Sequence, residues 1–361
     1  MTSATTTSAS TPSTAVDVVA EALEVAAAVI RRHDDAVLIA LRRPDQHQGG
    51  LWEFPGGKLR AHEAPLAALT RELEEELDIR IEPARCQPLV RVEHVYPERR
   101  VRLHVSEVFA WAGEPRGCEG QRIAWVTPAE LPSYRFPDAN LRILQTALLP
   151  RICLVTPEPT PGNDPDFLRR LGISLQAGVR LVQLRIRSRQ GPALTALVED
   201  AVALCHAAGA RVLLNLTIED TGPGALEARR HACARFKADG FHLPSAILQK
   251  LPLANVPRNP EFLVSAACHD ISELRAAEVL GVDFVFLGTV LPSASHPGVA
   301  GLGWTGAGAL AQQSRLPVFA LGGQHAGTVA PALAAGFHGI AAIRGFWDAG
   351  SRIPDSRLRP G

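Results

Sequence analysis

Three glutamates on one face of a short helix are the side chains in this sequence best suited to chemistry. Glu72, Glu75 and Glu76 lie in a segment where leucines recur every three or four residues between positions 66 and 77, which predicts a helix over Ala64 to Leu77. At about 100° per residue, the three carboxylates form one patch beside the leucine stripe. Like charges at this spacing repel by a few tenths of a kcal/mol per pair, so a cation should lie over them. Mg²⁺ or Mn²⁺, which prefer oxygen ligands, is the natural candidate, and a solvated acidic face is the alternative.

The residues around this helix resemble the Nudix box, G-x5-E-x7-R-E-U-x-E-E-x-G-U, in which U is aliphatic. The positions in register are Gly57, Glu63, Arg71, Glu72, Leu73, Glu75, Glu76 and Ile79. One fixed position departs, because Asp78 stands where the family has glycine. A left-handed residue is usual just past a helix end, and aspartate tolerates that conformation at some cost. We expect slightly lower local stability there, with the chemistry intact.

The resemblance implies metal-assisted hydrolysis of a phosphoanhydride. Metal ions neutralise the phosphate oxygens and lower the pKa of an attacking water, and carboxylates must hold those ions. Glu72, Glu75 and Glu76 are the expected ligands, with Glu72 as ligand or water-activating base. The loop that begins at Gly56 can bring backbone groups close to the ion, because glycine has no side chain in the way. Arg71 is expected to orient the glutamates.

Segments outside the box look like the MutT-type branch of the Nudix family, the 8-oxo-dGTP diphosphatases that clear oxidised guanine from the nucleotide pool and so protect DNA. They are LWEFPGG, VYPERR, GEPRGCEGQ and FPDAN. The resemblance implies that Glu119 supplies a further metal ligand or base and that Asn140 reads the guanine edge. It also implies substrate contacts by Arg43, Phe54 and Arg99.

Each of these residues has a plainer alternative. Asn140 precedes a helical run and could be an N-cap, and Phe54 could be ordinary core. Arg43 and Arg99 could be solvated surface charges, and Glu119 an exposed loop carboxylate. Discrimination of oxidised from normal guanine needs buried donors and acceptors that go unpaired with the wrong base. One asparagine side chain supplies both kinds of group.

Length and hydrophobic patterning predict two domains in the 361 residues. Residues 1–15, almost all Ser, Thr and Ala, are expected to be a disordered tail. In residues 20–149, two β-like runs around HDDA predict a hairpin, and two more around YPER predict another. Together with the acidic helix and a second helix at LRILQTALL, they predict the Nudix α/β/α sandwich on a mixed sheet.

Residues 150–350 alternate β-like runs with helix-length segments. Eight such runs in roughly 200 residues predict a (β/α)₈ TIM barrel, followed by a loose tail at 351–361. The segments LVTP, VQLRIR, ADGFHL and VDFVFLGTV resemble thiamin phosphate synthase. The resemblance implies a small phosphorylated ligand, whose candidate contacts are Gln183, Arg185, Asn215, Ser265, Gly322 and Gly323. Tight turns without a ligand are the alternative for the two glycines.

Several positions depart from the synthase pattern. Leu216 and Ile247 stand where that family has metal-binding aspartates, and Arg187 and His296 where it has lysines. Pro244 replaces a glycine. Without the two carboxylates, pyrophosphate and Mg²⁺ lose their anchor, so we expect a degenerate barrel that does not make thiamin phosphate.

The composition narrows the classes of partner that the protein could bind. Lys plus Arg and Asp plus Glu number 37 each, so 37 − 37 leaves no net charge to attract a nucleic acid. Six scattered cysteines, no signal peptide and no membrane-length apolar run favour a cytoplasmic protein away from membranes. The leading hypothesis is a metal-dependent hydrolase that converts 8-oxo-dGTP to 8-oxo-dGMP and pyrophosphate. The alternatives are hydrolysis of a thiamin-related pyrophosphate, or a barrel that is a non-catalytic, phosphate-binding regulatory module. The oligomeric state is left open.

Overall fold

The first domain is built on two sheets. The computed structural model describes residues 22–217, 224–251, 262–293, 298 and 300–347, so both predicted tails and His296 lie outside the described residues. The strands of this domain are β1 (Leu23–Ile30), β2 (Val37–Leu41), β3 (Trp52–Glu53), β4 (Gly56–Lys58), β5 (Arg80–Ile81), β6 (Cys86–Tyr96), β7 (Arg99–Val108), β8 (Trp111–Ala112) and β9 (Ile123–Val126). Its helices are α1 (Pro65–Leu77) and α2 (Asp138–Ala147). The larger sheet has the order β4-β1-β7-β6 and the smaller one β3-β2-β9, with β5 and β8 paired separately.

The two helices cover opposite faces of the larger sheet. Successive side chains of a strand point to opposite faces. Ala26 and Ala28 of β1 accordingly pack with the leucines of α1, whereas Ala27 and Val29 pack with α2. The sheet is mixed, since β1 runs parallel to β7 and antiparallel to β4. The predicted α/β/α sandwich is therefore confirmed.

Of the two predicted hairpins, only the second forms. β6 and β7 pair antiparallel over their length. β1 and β2, in contrast, share a single bridge between Arg31 and Val37, and β2 then pairs with β3 and β9. The first hairpin prediction is wrong because both edges of β1 are already taken by β4 and β7.

The second domain is a closed eight-stranded barrel, and every neighbouring pair of strands is parallel. Its strands are β10 (Ile152–Val155), β11 (Leu181–Ile186), β12 (Arg211–Leu216), β13 (Gly240–Leu243), β14 (Leu263–Cys268), β15 (Phe284–Leu287), β16 (Val318–Leu321) and β17 (Gly339–Ala342). Its helices are α3 (Asp164–Gln176), α4 (Gly191–Ala207), α5 (Ala225–Phe236), α6 (Ser245–Leu248), α7 (Ile271–Leu280), α8 (Gly303–Gln313), α9 (Val329–Ala334) and α10 (Arg344–Trp347). The predicted TIM barrel is confirmed.

The first domain contacts the N-terminal ends of the barrel strands. Arg151, Asp283 and His338 each directly precede a barrel strand, and all three take part in bonds near the junction. Glu107 of β7 is 1% exposed and accepts hydrogen bonds from Arg31 Nε at 2.9 Å and from Arg151. Ligands of such barrels bind at the C-terminal strand ends. That mouth therefore lies at the end of the barrel away from the first domain.

None of the described helices is both long and apolar enough to cross a membrane.

The residue after α1 has the left-handed conformation that the sequence predicted. Asp78 has φ 55° and ψ 35°, and its N–H donates to the Glu74 carbonyl at 3.1 Å. Its carboxylate pairs with exposed Arg116 at 2.6 Å. A left-handed L-residue costs about 1–2 kcal/mol, whereas glycine adds about 0.5–1 kcal/mol of unfolded-state entropy.

We expect Asp78→Gly to raise the free energy of unfolding by about 0.5 kcal/mol, because relief of strain exceeds the entropic loss and an exposed ion pair contributes little. Urea denaturation at neutral pH measures the change. Asp78→Ala, which keeps the strain and loses the ion pair, should be less stable than the unaltered protein. A less stable glycine variant would show that the Arg116 contact outweighs the strain.

Candidate active site

Two adjacent glycines bring the backbone against the acidic helix. A Cβ on Gly56 would lie 2.1 Å from the Ala26 carbonyl oxygen, and one on Gly57 would lie 2.2 Å from the Glu72 Cδ atom. Gly56 therefore has no room for a side chain, and a side chain at Gly57 would displace the Glu72 carboxylate. The close approach lets the Gly56 N–H donate to Glu76 Oε2 at 3.3 Å. The predicted loop and helix are thus in direct contact.

Arg71 supplies part of the positive charge that the three glutamates require. Its guanidinium makes two 2.9 Å bonds to Glu63, a 2.6 Å bond to Glu72 and a 3.2 Å bond to Glu75. The hydrogen bonds from Arg71 hold the pKa of Glu63 down at about 2. Arg71 therefore links Glu63 to the acidic face, and the orienting role that the Nudix resemblance implied stays a prediction.

Glu76 makes no ion pair with any residue that the structure describes. Burial and the neighbouring carboxylates Glu53, Glu72 and Glu119 together raise its pKa to about 8, against the lowering effect of the Gly56 N–H hydrogen bond. At neutral pH the carboxyl group therefore holds a proton in the absence of a cation. A positive ion at this position would favour the ionised form.

Glu119 reaches the site because its loop covers the end of α1. The last carbonyls of a helix have no partner within the helix. Here the Glu76 carbonyl accepts from the Cys118 N–H and from Gln121 Nε2, both at 2.9 Å. Gln121 Oε1 in turn accepts the Glu119 N–H at 2.8 Å. Glu119 is exposed, yet it is near enough to raise the pKa of Glu76.

Glu53 and Arg42 were not among the predicted site residues. Burial raises the pKa of Glu53, an effect that its ion pair with Arg42 partly opposes. Arg43, whose substrate contact stays a prediction, lies on the surface and pairs with Asp45 at 2.9 Å. A charged residue between two aromatic ones, in the segment WEF, was the available signal for Glu53.

The donor set suits a hard divalent ion, although no metal cage is formed by the side chains as they stand. Among the described residues, no three His, Cys, Asp or Glu side chains are arranged as a metal-binding group. Arg71 engages Glu72 and Glu75, so these two would have to turn toward an ion. Carboxylate and backbone oxygens are nevertheless the ligands that Mg²⁺ and Mn²⁺ prefer. The residues present therefore fit such an ion chemically.

Phe54 and Asn140 come together on the other side of the domain's core. Asn140 Oδ1 accepts the Phe54 N–H at 3.3 Å. The N-cap alternative for Asn140 is wrong, because α2 begins at Asp138 with Pro137 as its N-cap. The Phe54 ring is buried and stacks on Phe136 with centroids 5.3 Å apart.

Arg99 lies at the tip of the β6–β7 hairpin. Its side chain is 36% exposed, and its Nε is 3.8 Å from a carboxylate oxygen of Glu98. The substrate contact of Arg99 stays a prediction.

The candidate barrel residues form two buried polar pairs and one tight turn. Asn215 Nδ2 donates to Gln183 Oε1 at 2.9 Å, and Ser265 Oγ lies 3.0 Å from His242 Nδ1. Burial lowers the pKa of His242 to about 3, so the ring is neutral. A Cβ on Gly322 would lie 2.6 Å from Thr289, and one on Gly323 would lie 2.7 Å from Leu291. Both glycines also have positive φ, 95° and 65°, so backbone conformation and close packing together account for them, and phosphate binding there stays a prediction.

Glu158, a carboxylate at the barrel mouth, was not among the predicted site residues either. Glu158 Oε1 accepts the N–H groups of Arg187 and Ser188 at 2.8 and 2.7 Å, and the Ser188 hydroxyl at 2.6 Å. Arg185 donates to its other oxygen at 3.4 Å. Burial alone would raise the pKa of Glu158, but these donors hold it below its usual range. An anion therefore already occupies this group of donors.

The two positions that lack the expected aspartates are apolar and packed. Leu216 and Ile247 both lie against the outer hydrophobic core of the barrel. Glu273, a buried carboxylate of α7, is engaged by Ser245 and Gln249 at 2.5 Å each and by His269 at 2.9 Å.

Two family models match the chain, one in each domain. The model described as NUDIX domain matches residues 26–146, and the one described as thiamine monophosphate synthase matches residues 152–346. An 8-oxo-dGTP diphosphatase of Escherichia coli K12 is 36% identical over 118 residues, which cover 33% of this chain and 90% of that protein. A thiamine-phosphate synthase of Chlorobium luteolum is 29% identical over 197 residues, which cover 54% of this chain and 84% of that protein.

Among solved structures, a MutT described from Aliivibrio salmonicida and Vibrio cholerae has 34% identity and a TM-score of 0.31, and covers 36% of this chain and 98% of its own. Nudix hydrolases generally depend on a divalent metal ion. The chain belongs to the Nudix family of phosphoanhydride-cleaving hydrolases through its first domain and to the thiamine monophosphate synthase family through its second.

Proposed function

We propose that the first domain is a metal-dependent diphosphatase of oxidised purine nucleoside triphosphates, which releases 8-oxo-dGMP and pyrophosphate from 8-oxo-dGTP. One observation carries the proposal: the Glu76 carboxyl contacts the Gly56 amide in a site where burial, together with the neighbouring carboxylates Glu53, Glu72 and Glu119, raises its pKa to about 8. Such a concentration of acid groups in a partly buried site is typical of catalytic centres.

Mg²⁺ or Mn²⁺ would be held by Glu72, Glu75, Glu76, Glu119 and the Gly56 carbonyl. When bound, the ion supplies charge neutralisation at the phosphates and a more acidic water. Arg71 keeps Glu72 and Glu75 on one face until they turn toward the ion. We add Arg42 to the substrate-contacting candidates, because its ion pair with Glu53 places it beside the acidic group.

Asn140 is the proposed reader of the base. Its side chain offers one acceptor and two donors, which suits a purine edge that presents both kinds of group. The bond from the Phe54 N–H fixes the direction of the Asn140 amide. A site built on such polar groups rejects the wrong base because buried groups would then go unpaired.

Steady-state hydrolysis of 8-oxo-dGTP and dGTP by the full-length protein with Mg²⁺ tests the substrate. We expect a clear preference for the oxidised nucleotide, and its loss in Asn140→Ala. Equal rates with both nucleotides would contradict the proposed substrate. If the preferred substrate were a thiamin-related pyrophosphate, Asn140→Ala would leave its hydrolysis unchanged.

The described cysteines are all free thiols, which supports our proposal of a cytoplasmic location.

For the barrel we propose a degenerate synthase that binds a small oxyanion and regulates or positions the hydrolase. Leu216 and Ile247 remove two anchors for a metal ion. The donors around Glu158, by contrast, remain suited to an anion, because consecutive backbone N–H groups and a guanidinium converge there.

We expect Glu158→Ala to bind inorganic phosphate at least about tenfold more tightly than the unaltered chain, since the internal carboxylate no longer occupies the donors. Isothermal titration of both full-length proteins measures the difference. The control is Glu199→Ala, which removes an exposed carboxylate of α4 and should change nothing. Equal affinity of the three proteins would show that Glu158 only fastens the loop after β10 to the loop after β11.

A further inference from the structure

Helix α2, an element of the first domain, also contacts the barrel. Ala139, Ile143 and Ala147 pack into the core of the first domain. Arg142, in contrast, is 7% exposed and extends to the barrel. The helix that carries Asn140 is therefore held from both sides.

Arg142 is anchored by three hydrogen bonds to one corner of the barrel. Its Nη1 donates to Asp283 Oδ1 at 2.8 Å, and its Nη2 donates to the carbonyls of Val282 and Asp283 at 2.7 and 3.1 Å. The second Asp283 oxygen accepts the Val264 N–H at 2.8 Å. The carboxylate is thus fixed by the backbone of β14, so the anchor cannot shift without disturbing the barrel.

The C-terminal end of α2 is also held by cations and a histidine. Arg31 Nη2 donates to the Ala147 carbonyl at 2.9 Å, and Arg211 of the barrel donates to the Leu148 carbonyl. His338 Nε2 lies 3.2 Å from the Leu149 carbonyl oxygen. Carbonyls at a helix end need such partners, and positive charge there is favourable.

Apolar packing does not hold the barrel-facing side of α2 tightly. A cavity of about 910 Å³ lies between the domains, and Asp138, Leu141 and Gln145 of α2 line it together with Arg142. Because part of this face borders a cleft and not packed side chains, the Arg142 bonds are the direct polar link between the middle of α2 and the barrel.

We propose that Arg142 and Asp283 are positioning residues for the nucleotide base, and that the barrel thereby sets the selectivity of the hydrolase. Asn140 and Arg142 are two residues apart, about 200° around the helix, so they face opposite sides. A small rotation of α2 would move Asn140 away from the Phe54 N–H, to which it is bonded at 3.3 Å. This inference rests on the proposed function for its substrate, while the acidic residues of α1 are untouched by it.

The test compares Arg142→Met and Asp283→Asn with Arg315→Gln in the full-length protein. Arg315 is the matched control, since it also joins the domains, through Glu93 and Glu278, but makes no hydrogen bond or ion pair with α2 within the described part of the chain. In the first two variants we expect the preference for 8-oxo-dGTP over dGTP to fall by about tenfold through KM, with kcat within about twofold. Arg315→Gln should keep the preference. A lower melting temperature with unchanged preference would overturn the proposal.

A second readout does not depend on the substrate. The Phe54 N–H is protected from hydrogen exchange by Asn140, so its exchange should accelerate in Arg142→Met and Asp283→Asn but not in Arg315→Gln. If the unaltered enzyme shows no preference for oxidised guanine, the proposed function fails and the exchange rate alone decides this inference. Unchanged exchange at Phe54 in both variants would refute it.

Discussion

Replacing Glu76 with glutamine should lower kcat/KM for the oxidised nucleoside triphosphate by about 10²- to 10³-fold, because a proposed metal ligand loses its charge. Glu76 is the buried member of the acidic group, and it contacts the Gly56 amide. Glutamine keeps the size of the side chain and can still accept that hydrogen bond, so the fold should be preserved. Initial rates at saturating Mg²⁺, with circular dichroism to verify folding, measure the effect.

Glu74→Gln is the matched control for this prediction. Glu74 lies on the same helix and is exposed, so the variant removes one negative charge without touching the acidic group. We expect its kcat/KM to stay within about twofold, since an isolated surface charge is largely screened. Full activity of Glu76→Gln would contradict the assignment of Glu76 as a metal ligand. Equal losses of kcat/KM in both variants would show that the net charge of the helix matters instead.

The acidic helix could be predicted from the sequence because its signals are local. Leu69, Leu73 and Leu77 recur at helical spacing, and all three are buried against β1. The spacing of the Nudix box also fixed which glutamates meet the glycine loop. For the same reason the eight β-like runs of the second domain were sufficient to predict the barrel.

Features that depend on contacts distant in sequence were not predictable in the same way. The HDDA turn looked like a hairpin, since nothing local shows that β4 and β7 already occupy both edges of β1. The role of Asn140 was left open between a cap and a base contact, and the structure instead shows a bond to Phe54, 86 residues away. Nothing local to Glu158 indicates its role either, because the groups that donate hydrogen bonds to it follow a different strand.

One residue of the domain junction, Glu107, is marked in the sequence by the hydrophobic alternation of its strand. Val101, Leu103 and Val105 alternate along β7 toward the core, and Glu107 continues the same alternation. A glutamate on the buried face of a strand implies a cationic partner. The sequence could not show that this partner would come from Arg151 of the second domain.

Replacing Glu107 with glutamine should lower the free energy of unfolding by about 3–5 kcal/mol, because the buried guanidinium of Arg151 then loses its counter-charge and that of Arg31 keeps only the half-exposed Asp35. Glu107 accepts from Arg31 Nε at 2.9 Å and from Arg151, and its own side chain is 1% exposed. Glu93→Gln is the matched control, since Glu93 also binds one arginine from each domain, Arg102 at 3.0 Å and Arg315 at 3.1 Å, but is 32% exposed. That half-exposed site should lose less than about 1 kcal/mol.

The pH dependence of the free energy of unfolding distinguishes the contribution of the Glu107 charge from that of its packing. Burial alone would raise its pKa, but Arg151 and Arg31 lower the pKa to about 2, from an ordinary value of 4.5. A lowered pKa stabilises the fold fully above the ordinary value, and this stabilisation is lost as the pH falls toward the folded value. The stability difference between the unaltered protein and Glu107→Gln should therefore be constant from about pH 6 to 8 and shrink below about pH 4.5 in urea titrations. A difference that persists undiminished at pH 3 would assign the effect to side-chain packing, and the ion network would then not be what holds the two domains together.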